Sequence, residues 1–246
     1  MQRPLHIVVP VYNEGQNFPA LRSALQAIRS PFEVLIVYDF DEDNTVPAVQ
    51  RAIDEGDTRF RLVKNSVRRG VVGALQSGFQ SVDRGPILVM MGDMSDELDR
   101  VDSMLDLYDQ GFHLLAPSRY MPGGRVIGGS LIKRNLSKWA GLTLHWLRGL
   151  PTHDATNSFK LYDAAMLKSL KLESRGGFEL SLEITVKAFR KGYRIAELPT
   201  TWKDRTEGES RFRLWHWLPL YLRWYVYAFG PRSELQSPSR QAARDA

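Results

Sequence analysis

The sequence predicts an α/β domain built on a mostly parallel sheet with helices on both faces. Three observations point there. Short β-rich apolar runs alternate with segments whose apolar residues recur at helical spacing. The first run, residues 5–9, passes directly into Pro10-Val11-Tyr12-Asn13-Glu14, which sets polar groups at the carboxyl edge of a buried strand. In open α/β sheets that edge is where ligands bind. Finally, 246 residues suit one such domain, or a domain with an appendage, and can bury a sizeable core.

Taken in order, the strands are expected at 5–9, 33–37, 60–63, 86–91 and 112–116, each a short, mainly apolar run. Phe18, Leu21, Leu25 and Ile28 recur at helical spacing between the first two. Asn44 and Thr45 follow the second strand and suit the N-cap of the next helix. Val101, Met104, Leu105 and Tyr108 mark a helix before the fifth strand. Residues 121–129 form a glycine-rich loop, expected to be mobile and suited to act as a lid. Two segments carry aromatic faces. In 132–147, Leu136, Trp139, Thr143, Trp146 and Leu147 fall on one side of a helix; 213–229 is crowded with Trp and Tyr, flanked by Arg and interrupted by Pro219. Core packing and membrane contact both account for such faces. The expected division is a main α/β domain over 1–212, an amphipathic aromatic segment over 213–230 and a disordered tail over 231–246. No internal repeat is found.

Composition narrows the function. The absence of cysteine removes disulfides and thiolate metal sites, so a metal here takes oxygen or imidazole ligands, and a reducing compartment is compatible. No apolar stretch approaches the roughly 20 residues that span a bilayer, and no signal-peptide pattern opens the chain. The net charge is +5, from 33 Lys and Arg against 28 Asp and Glu. Carboxylates cluster at 39–43 and 93–102, whereas basic residues gather later, at Arg119, Arg125, Lys133, Arg134, Lys138, Arg148, Arg205, Arg211 and Arg213. The front half is suited to a cation and the back half to phosphate. A Rossmann dehydrogenase would carry Gly-x-Gly-x-x-Gly after the first strand; Tyr12-Asn13-Glu14-Gly15 stands there instead.

Five ordered motifs carry chemistry. The first is Pro10–Glu14. The second, Asp39-Phe40-Asp41-Glu42-Asp43-Asn44-Thr45, offers carboxylates able to reach a ribose, a base edge or a cation. The third is Met91-Gly92-Asp93-Met94-Ser95-Asp96-Glu97 after the fourth strand. The fourth comprises Ser118-Arg119-Tyr120, with Lys133-Arg134-Asn135 and Asp154-Ala155-Thr156-Asn157-Ser158-Phe159-Lys160 behind it. The fifth is Asp204-Arg205-Thr206-Glu207-Gly208-Glu209-Ser210-Arg211. Arginines can fork onto phosphate oxygens with paired hydrogen bonds. His153 beside Asp154 has the composition of a base dyad, but sequence neighbours need not face each other.

From Leu5 to Arg213 these motifs resemble family 2 glycosyltransferases of the GT-A fold, and within them the polyprenyl-phosphate hexosyltransferases of the dolichol-phosphate mannose synthase group. The chain departs from that pattern at Tyr38 and Met91, where Asp is usual, and at Pro117, Asn157, Ser158 and Arg211. The resemblance implies an inverting transfer of a hexose from a nucleoside-diphosphate sugar, GDP-mannose first and UDP-glucose second, to a polyprenyl phosphate. It implies that Pro10, Tyr12, Glu14, Asp39, Asp41 and Asp93 serve the nucleotide sugar, and that Arg119, Arg134, Arg205, Ser210 and Arg211 grip phosphate. Mg2+ or Mn2+ is expected at Asp93 with Asp96. Asp93, Arg119, Arg134 and Arg205 are then the catalytic set. A cytoplasmic protein lying on the cytoplasmic face of a membrane follows, with a small membrane anchor protein as a further partner and no nucleic acid. Transfer to a polysaccharide or other glycan, and a non-catalytic sugar-nucleotide-binding protein, are the alternatives.

Overall fold

The computed structural model describes residues 4–93, 95–204 and 214–231. Nine strands and eight α-helices are described, in the order β1 (Leu5–Pro10), α1 (Phe18–Ala24), β2 (Phe32–Tyr38), α2 (Thr45–Asp54), β3 (Phe60–Lys64), α3 (Val71–Gln80), β4 (Pro86–Val89), α4 (Val101–Asp109), β5 (Leu114–Ser118), β6 (Arg125–Ile127), α5 (Leu131–Arg148), β7 (Lys160–Asp163), α6 (Ala164–Ser169), α7 (Glu179–Arg190), β8 (Ile195–Pro199), β9 (Thr201–Lys203) and α8 (Leu214–Tyr227).

Seven strands form one sheet in the order β3-β2-β1-β4-β7-β5-β8, and β6 pairs with β9 in a small second sheet. All pairings in the large sheet are parallel except those of β7, which runs antiparallel to both β4 and β5. The five strands expected from sequence are all present. Their side chains alternate between two cores, as the period of two along a strand requires. Ile7, Val9, Val34, Ile36, Leu88 and Met90 pack with α1, α2 and α4. Val8, Leu35, Val37, Ile87 and Val89 face the other way, toward α3, α6, α7 and α8. Burial on both faces explains the near-continuous apolar runs.

Strand order reverses between β1 and β4, since the chain passes from β3 at one edge back to β4 beside β1. The crevice at the carboxyl ends of these two strands is the expected ligand position.

Of the two aromatic segments, 132–147 is helical and its apolar face is exposed: Leu131, Ile132, Leu136, Trp139, Trp146 and Leu147 all lie open to solvent. The segment at 213–229 behaves differently. Trp224 in α8 and Ala228 just beyond it belong to the core against α7, while Leu222 and Val226 of α8 and Phe229 after it are exposed. The helix continues through Pro219. The glycine-rich loop contains β6, so it is partly ordered by pairing with β9. The tail expected beyond 231 lies outside the described residues.

Candidate active site

At the carboxyl edge, the loop after β1 is laced to the loop after β2. The Asn13 amide donates to Asp43 Oδ2 at 3.0 Å, the Glu14 amide to Thr45 Oγ1 at 2.8 Å, and the Gly15 amide to Asn44 Oδ1 at 2.8 Å. Asn13 takes a positive φ of 56°, which Asn tolerates better than most residues. Asp43 is fully buried, and its Oδ1 accepts from the Thr45 amide at 2.8 Å. Asn44, one of the two expected caps, stands at the N-cap of α2, but its side chain bonds Gly15, and Asp43 supplies the side-chain bond to the Thr45 amide.

Pro10 closes β1 inside the core, and Tyr12 beyond it is exposed, its ring 5.5 Å from Phe40 in an edge-to-face contact. Glu14 accepts from Asn17 Nδ2. Asp39 fixes the loop after β3, taking hydrogen bonds from Asn65 Nδ2 at 2.6 Å and the Gly70 amide at 2.7 Å. Of the expected nucleotide-sugar residues, Asp93 lines the cleft described next, whereas Pro10, Tyr12, Glu14, Asp39 and Asp41 lie outside its wall; Asp41 turns outward to Lys64 Nζ at 2.5 Å and is largely exposed.

That cleft has a volume of about 720 Å³. Asp93 and Met91 line it from the end of β4, Lys133 and Arg134 from α5, and Trp202 from β9; Leu136, Trp139, Leu218 and Tyr221 make much of its apolar wall between α5 and α8. Asp93 Oδ1 accepts from the Ser95 hydroxyl at 2.7 Å and from its amide at 3.2 Å. Asp96, expected beside it as a metal ligand, is instead buried and joined through its backbone to Trp202. Burial, with Asp93 and Asp154 nearby, pushes its carboxyl up to about 7 against the opposing pull of Arg119. It lies outside the cleft wall.

Arg119 is bound more firmly than a free phosphate grip would be. Its Nε donates to Asp154 Oδ2 at 2.6 Å and its Nη2 to Asp154 Oδ1 at 2.9 Å. Nη2 also reaches Ser137 Oγ at 3.2 Å on α5, and Ser137 is 2.6 Å from Thr156 Oγ1. Asp154 is fully buried, and the guanidinium beside it holds its carboxyl below the usual range despite that burial. Lys160 lies beneath, its Nζ donating to the Ala155 carbonyl and Ser181 Oγ at 2.8 Å each. Burial depresses its ammonium to about 7. Arg134, half-buried, lines the cleft near the Tyr120 phenol, and its side chain makes no hydrogen bond or ion pair among the described residues. Arg205, Ser210 and Arg211 lie outside the described residues.

His153 and Asp154 do not form a dyad. His153 Nδ1 bonds Glu197 Oε1 at 2.6 Å and its ring stacks on His145 at 3.9 Å, while Asp154 faces Arg119. Sequence reasoning missed two buried carboxylates on α7. Glu179 accepts the amides of Gly176 and Gly177, and Glu183 those of Glu173 and Ser174. Together they shape the loop that brings Phe178 to the cleft. The only sequence signal was a pair of acids, four apart, on a segment that also carries Leu180, Leu182, Ile184 and Val186.

A divalent cation is the group Asp93 can hold. Among the described residues no three carboxylates or imidazoles gather about one point, so no closed protein cage exists. The arrangement fits a cation that takes one carboxylate and completes its shell with phosphate oxygens and water.

The family model for glycosyl transferase family 2 matches residues 6–171. A polyprenol monophosphomannose synthase from Mycolicibacterium smegmatis is 28% identical over 215 residues, covering 85% of this chain and 81% of the relative. An undecaprenyl-phosphate mannosyltransferase from Micrococcus luteus is 28% identical over 210 residues, covering 83% and 85%. Among solved structures, glucosyl-3-phosphoglycerate synthase from Mycobacterium tuberculosis with Mn2+, UDP and glucosyl-3-phosphoglycerate superposes with a TM-score of 0.64 at 17% identity, covering 92% of this chain and 78% of that one. S. aureus TarS 1-349 with UDP-GlcNAc gives 0.67 at 18%, covering 99% and 70%.

Proposed function

The chain belongs to glycosyl transferase family 2 and is a glycosyltransferase with a single GT-A-type domain; from that premise we propose that it moves a hexose, mannose first and glucose second, from a nucleoside diphosphate to a polyprenyl phosphate, with inversion. The observation that carries this reading is the composition of one cleft. Asp93 stands at its sheet end, Arg119, Lys133 and Arg134 bring positive charge to it, and apolar side chains of α5 and α8 make up one wall. A diphosphate, an acceptor phosphate and a prenyl tail each meet suitable chemistry there. The names of the two mannosyltransferases favour mannose over glucose.

In this reading Tyr12 and Asp39 border the nucleoside, and Asp93 would hold a divalent cation, which would supply charge neutralisation for the diphosphate. Arg134 orients the acceptor phosphate. Arg119, steered by Asp154 and Ser137, adds positive charge to the same cleft, and Arg205 with Ser210 and Arg211 completes the grip. An acceptor oxygen attacks the anomeric carbon while the bond from that carbon to the diphosphate breaks, so configuration inverts. The phosphate oxygen is already anionic near neutral pH, so the step needs no general base; positioning and charge neutralisation supply the catalysis. His153, taken up by Glu197, is consistent with that.

The exposed apolar face of α5, with Lys133 and Lys138 beside it, and the exposed residues of α8 suit a surface resting on anionic lipid, from which the tail enters between the two helices. No described helix is long and apolar enough to cross a membrane. A small membrane anchor protein is a second occupant of that face. Thermal stabilisation by GDP-mannose, UDP-glucose, GDP and UDP, each with and without Mn2+, tests the donor half. A shift confined to guanine nucleotides with Mn2+ is expected, because a ligand binding only the folded state raises its stability. No shift with any of them counts against the donor assignment. Flotation on anionic liposomes tests the membrane half: wild-type protein should float, and Trp139→Glu with Leu147→Glu should stay behind while keeping its melting temperature.

A further inference from the structure

Two rows of side chains border the apolar part of the cleft. On α5, Leu136, Ala140 and Thr143 follow one another at helical spacing; on α8, Leu218, Leu222 and Tyr225 do the same, and all of them line the cleft. Toward their C-terminal ends the two helices are joined. The Tyr225 hydroxyl donates to Thr143 Oγ1 at 3.0 Å. Beyond it, Arg148 donates to the Ala228 carbonyl through Nε and to the Gly230 carbonyl through Nη2, each at 3.0 Å. The space between α5 and α8 is therefore a slot that starts at Arg134 and is closed at Thr143 by Tyr225.

The closure is polar. Thr143 Oγ1, which accepts from Tyr225, donates its own proton to the Trp139 carbonyl at 2.6 Å. A hydrocarbon chain pushed past this pair would part the two hydroxyls and offer neither a partner, which costs free energy. The side of the slot differs. Leu136, Trp139 and Leu222 line the cleft and are also exposed, so a chain that reaches the closed end leaves laterally over apolar side chains. From Arg134 to Thr143, α5 runs about 14 Å, close to the length of an extended farnesyl chain.

We infer that Thr143 and Tyr225 form a stop that sets how much of the acceptor's prenyl tail this protein reads. The isoprenes nearest the phosphate lie in the slot; those beyond a farnesyl length lie outside it and add no recognition. The inference rests on the prenyl-phosphate reading above. It makes Ala140, the small residue part-way along the slot, and the Thr143–Tyr225 pair the positions that fix the length sensed.

Transfer to geranyl, farnesyl, geranylgeranyl and undecaprenyl phosphate, each at one mole fraction in one detergent, tests this through kcat/KM. Wild-type values should rise about tenfold from geranyl to farnesyl and stay within about twofold beyond it. Dividing each variant by wild type at the same chain length cancels partition of the lipid into micelles. Ala140→Leu fills the slot before its end. It should match wild type with geranyl phosphate and fall about tenfold below it with farnesyl phosphate. Thr143→Ala combined with Tyr225→Leu removes the stop, and its ratio to wild type should climb about threefold or more from farnesyl to geranylgeranyl phosphate. A general loss of folding would not move the two ratios in opposite directions with length, and either variant alone suffices if the other folds poorly. A wild-type value that keeps climbing to undecaprenyl phosphate, or stays flat at every length, overturns the inference. So do folded variants whose ratios to wild type do not change with length. In those cases transfer still occurs and the acceptor reading stands; transfer to no prenyl phosphate at all defeats that reading and the stop with it.

Discussion

At the scale of single residues, the site divides into groups that meet ligand and groups that hold those groups in place. Asp93 belongs to the first kind. Asp93→Asn removes the charge while keeping the shape, and transfer should drop by about 100-fold or more with the melting temperature unchanged; a fully active variant would remove Asp93 from the mechanism. Asp154 belongs to the second kind. Asp154→Ala leaves the Arg119 guanidinium largely enclosed without its counter-charge, and breaking such a pair costs roughly 3–5 kcal/mol. Urea unfolding reads that loss, and Asp154→Asn should recover part of it. Lys160 makes a pH prediction. Its folded ammonium titrates at about 7, below the ordinary lysine range, because of burial. Between those values the unfolded chain binds a proton that the folded chain does not, so stability rises with pH. Lys160→Met lacks that rise. The stability difference between wild type and variant should move in the wild type's favour from pH 7 to pH 9, and a constant difference would contradict the buried-charge account. The residue types of the site were largely legible in the sequence. Their pairings were not: Arg119 and Asp154 stand 35 residues apart, and nothing local said that one would occupy the other.

At the scale of elements, α5 has two duties. One face is exposed and apolar; the other carries Arg134 into the cleft, Ser137 onto Arg119 and Thr156, and Gly141 against the loop of His153. A Cβ at Gly141 would stand 2.0 Å from the His153 carbonyl oxygen, so only glycine allows the helix to lie this close. Gly141→Ala must displace α5. The expected cost is about 1–3 kcal/mol in unfolding experiments. Transfer should fall further than that loss explains, because Arg134 and Ser137 move with the helix. A variant as stable and active as wild type would show that α5 is not the fixed wall described. Of the five strands legible in the sequence, β1, β2, β4 and β5 are largely buried on both faces, which forces near-continuous apolar runs; β3, at the sheet edge, carries Arg61 and Lys64 outward and was legible from Phe60, Leu62 and Val63. β7 was not legible: four residues long, it begins with a buried lysine and ends in an aspartate that caps α6. β8, with Glu197 and Pro199 in its five residues, was hidden for similar reasons. The exposure of α5 and the partial burial of α8 could not be separated beforehand, since both are helices crowded with aromatics.

At the scale of the whole molecule, the arrangement follows from the place where strand order reverses. The first half of the chain delivers carboxylates to the ends of β1, β2 and β4; the second half closes the opposite wall with α5, α8 and the small β6–β9 sheet. In the cleft itself Asp93 from the front half meets Arg119, Lys133 and Arg134 from the back half, with Asp204 after β9 as a second carboxylate. The account stands or falls on what crosses that cleft. The most direct measurement is transfer of labelled mannose from GDP-mannose, with Mn2+, to a short polyprenyl phosphate in detergent, with the lipid product resolved and Arg134→Ala run beside the wild type. The account predicts a mannosyl-phosphoryl prenol from wild-type protein and a yield reduced by about tenfold or more from the variant. Label appearing on a glycan acceptor but never on the prenyl phosphate would contradict it.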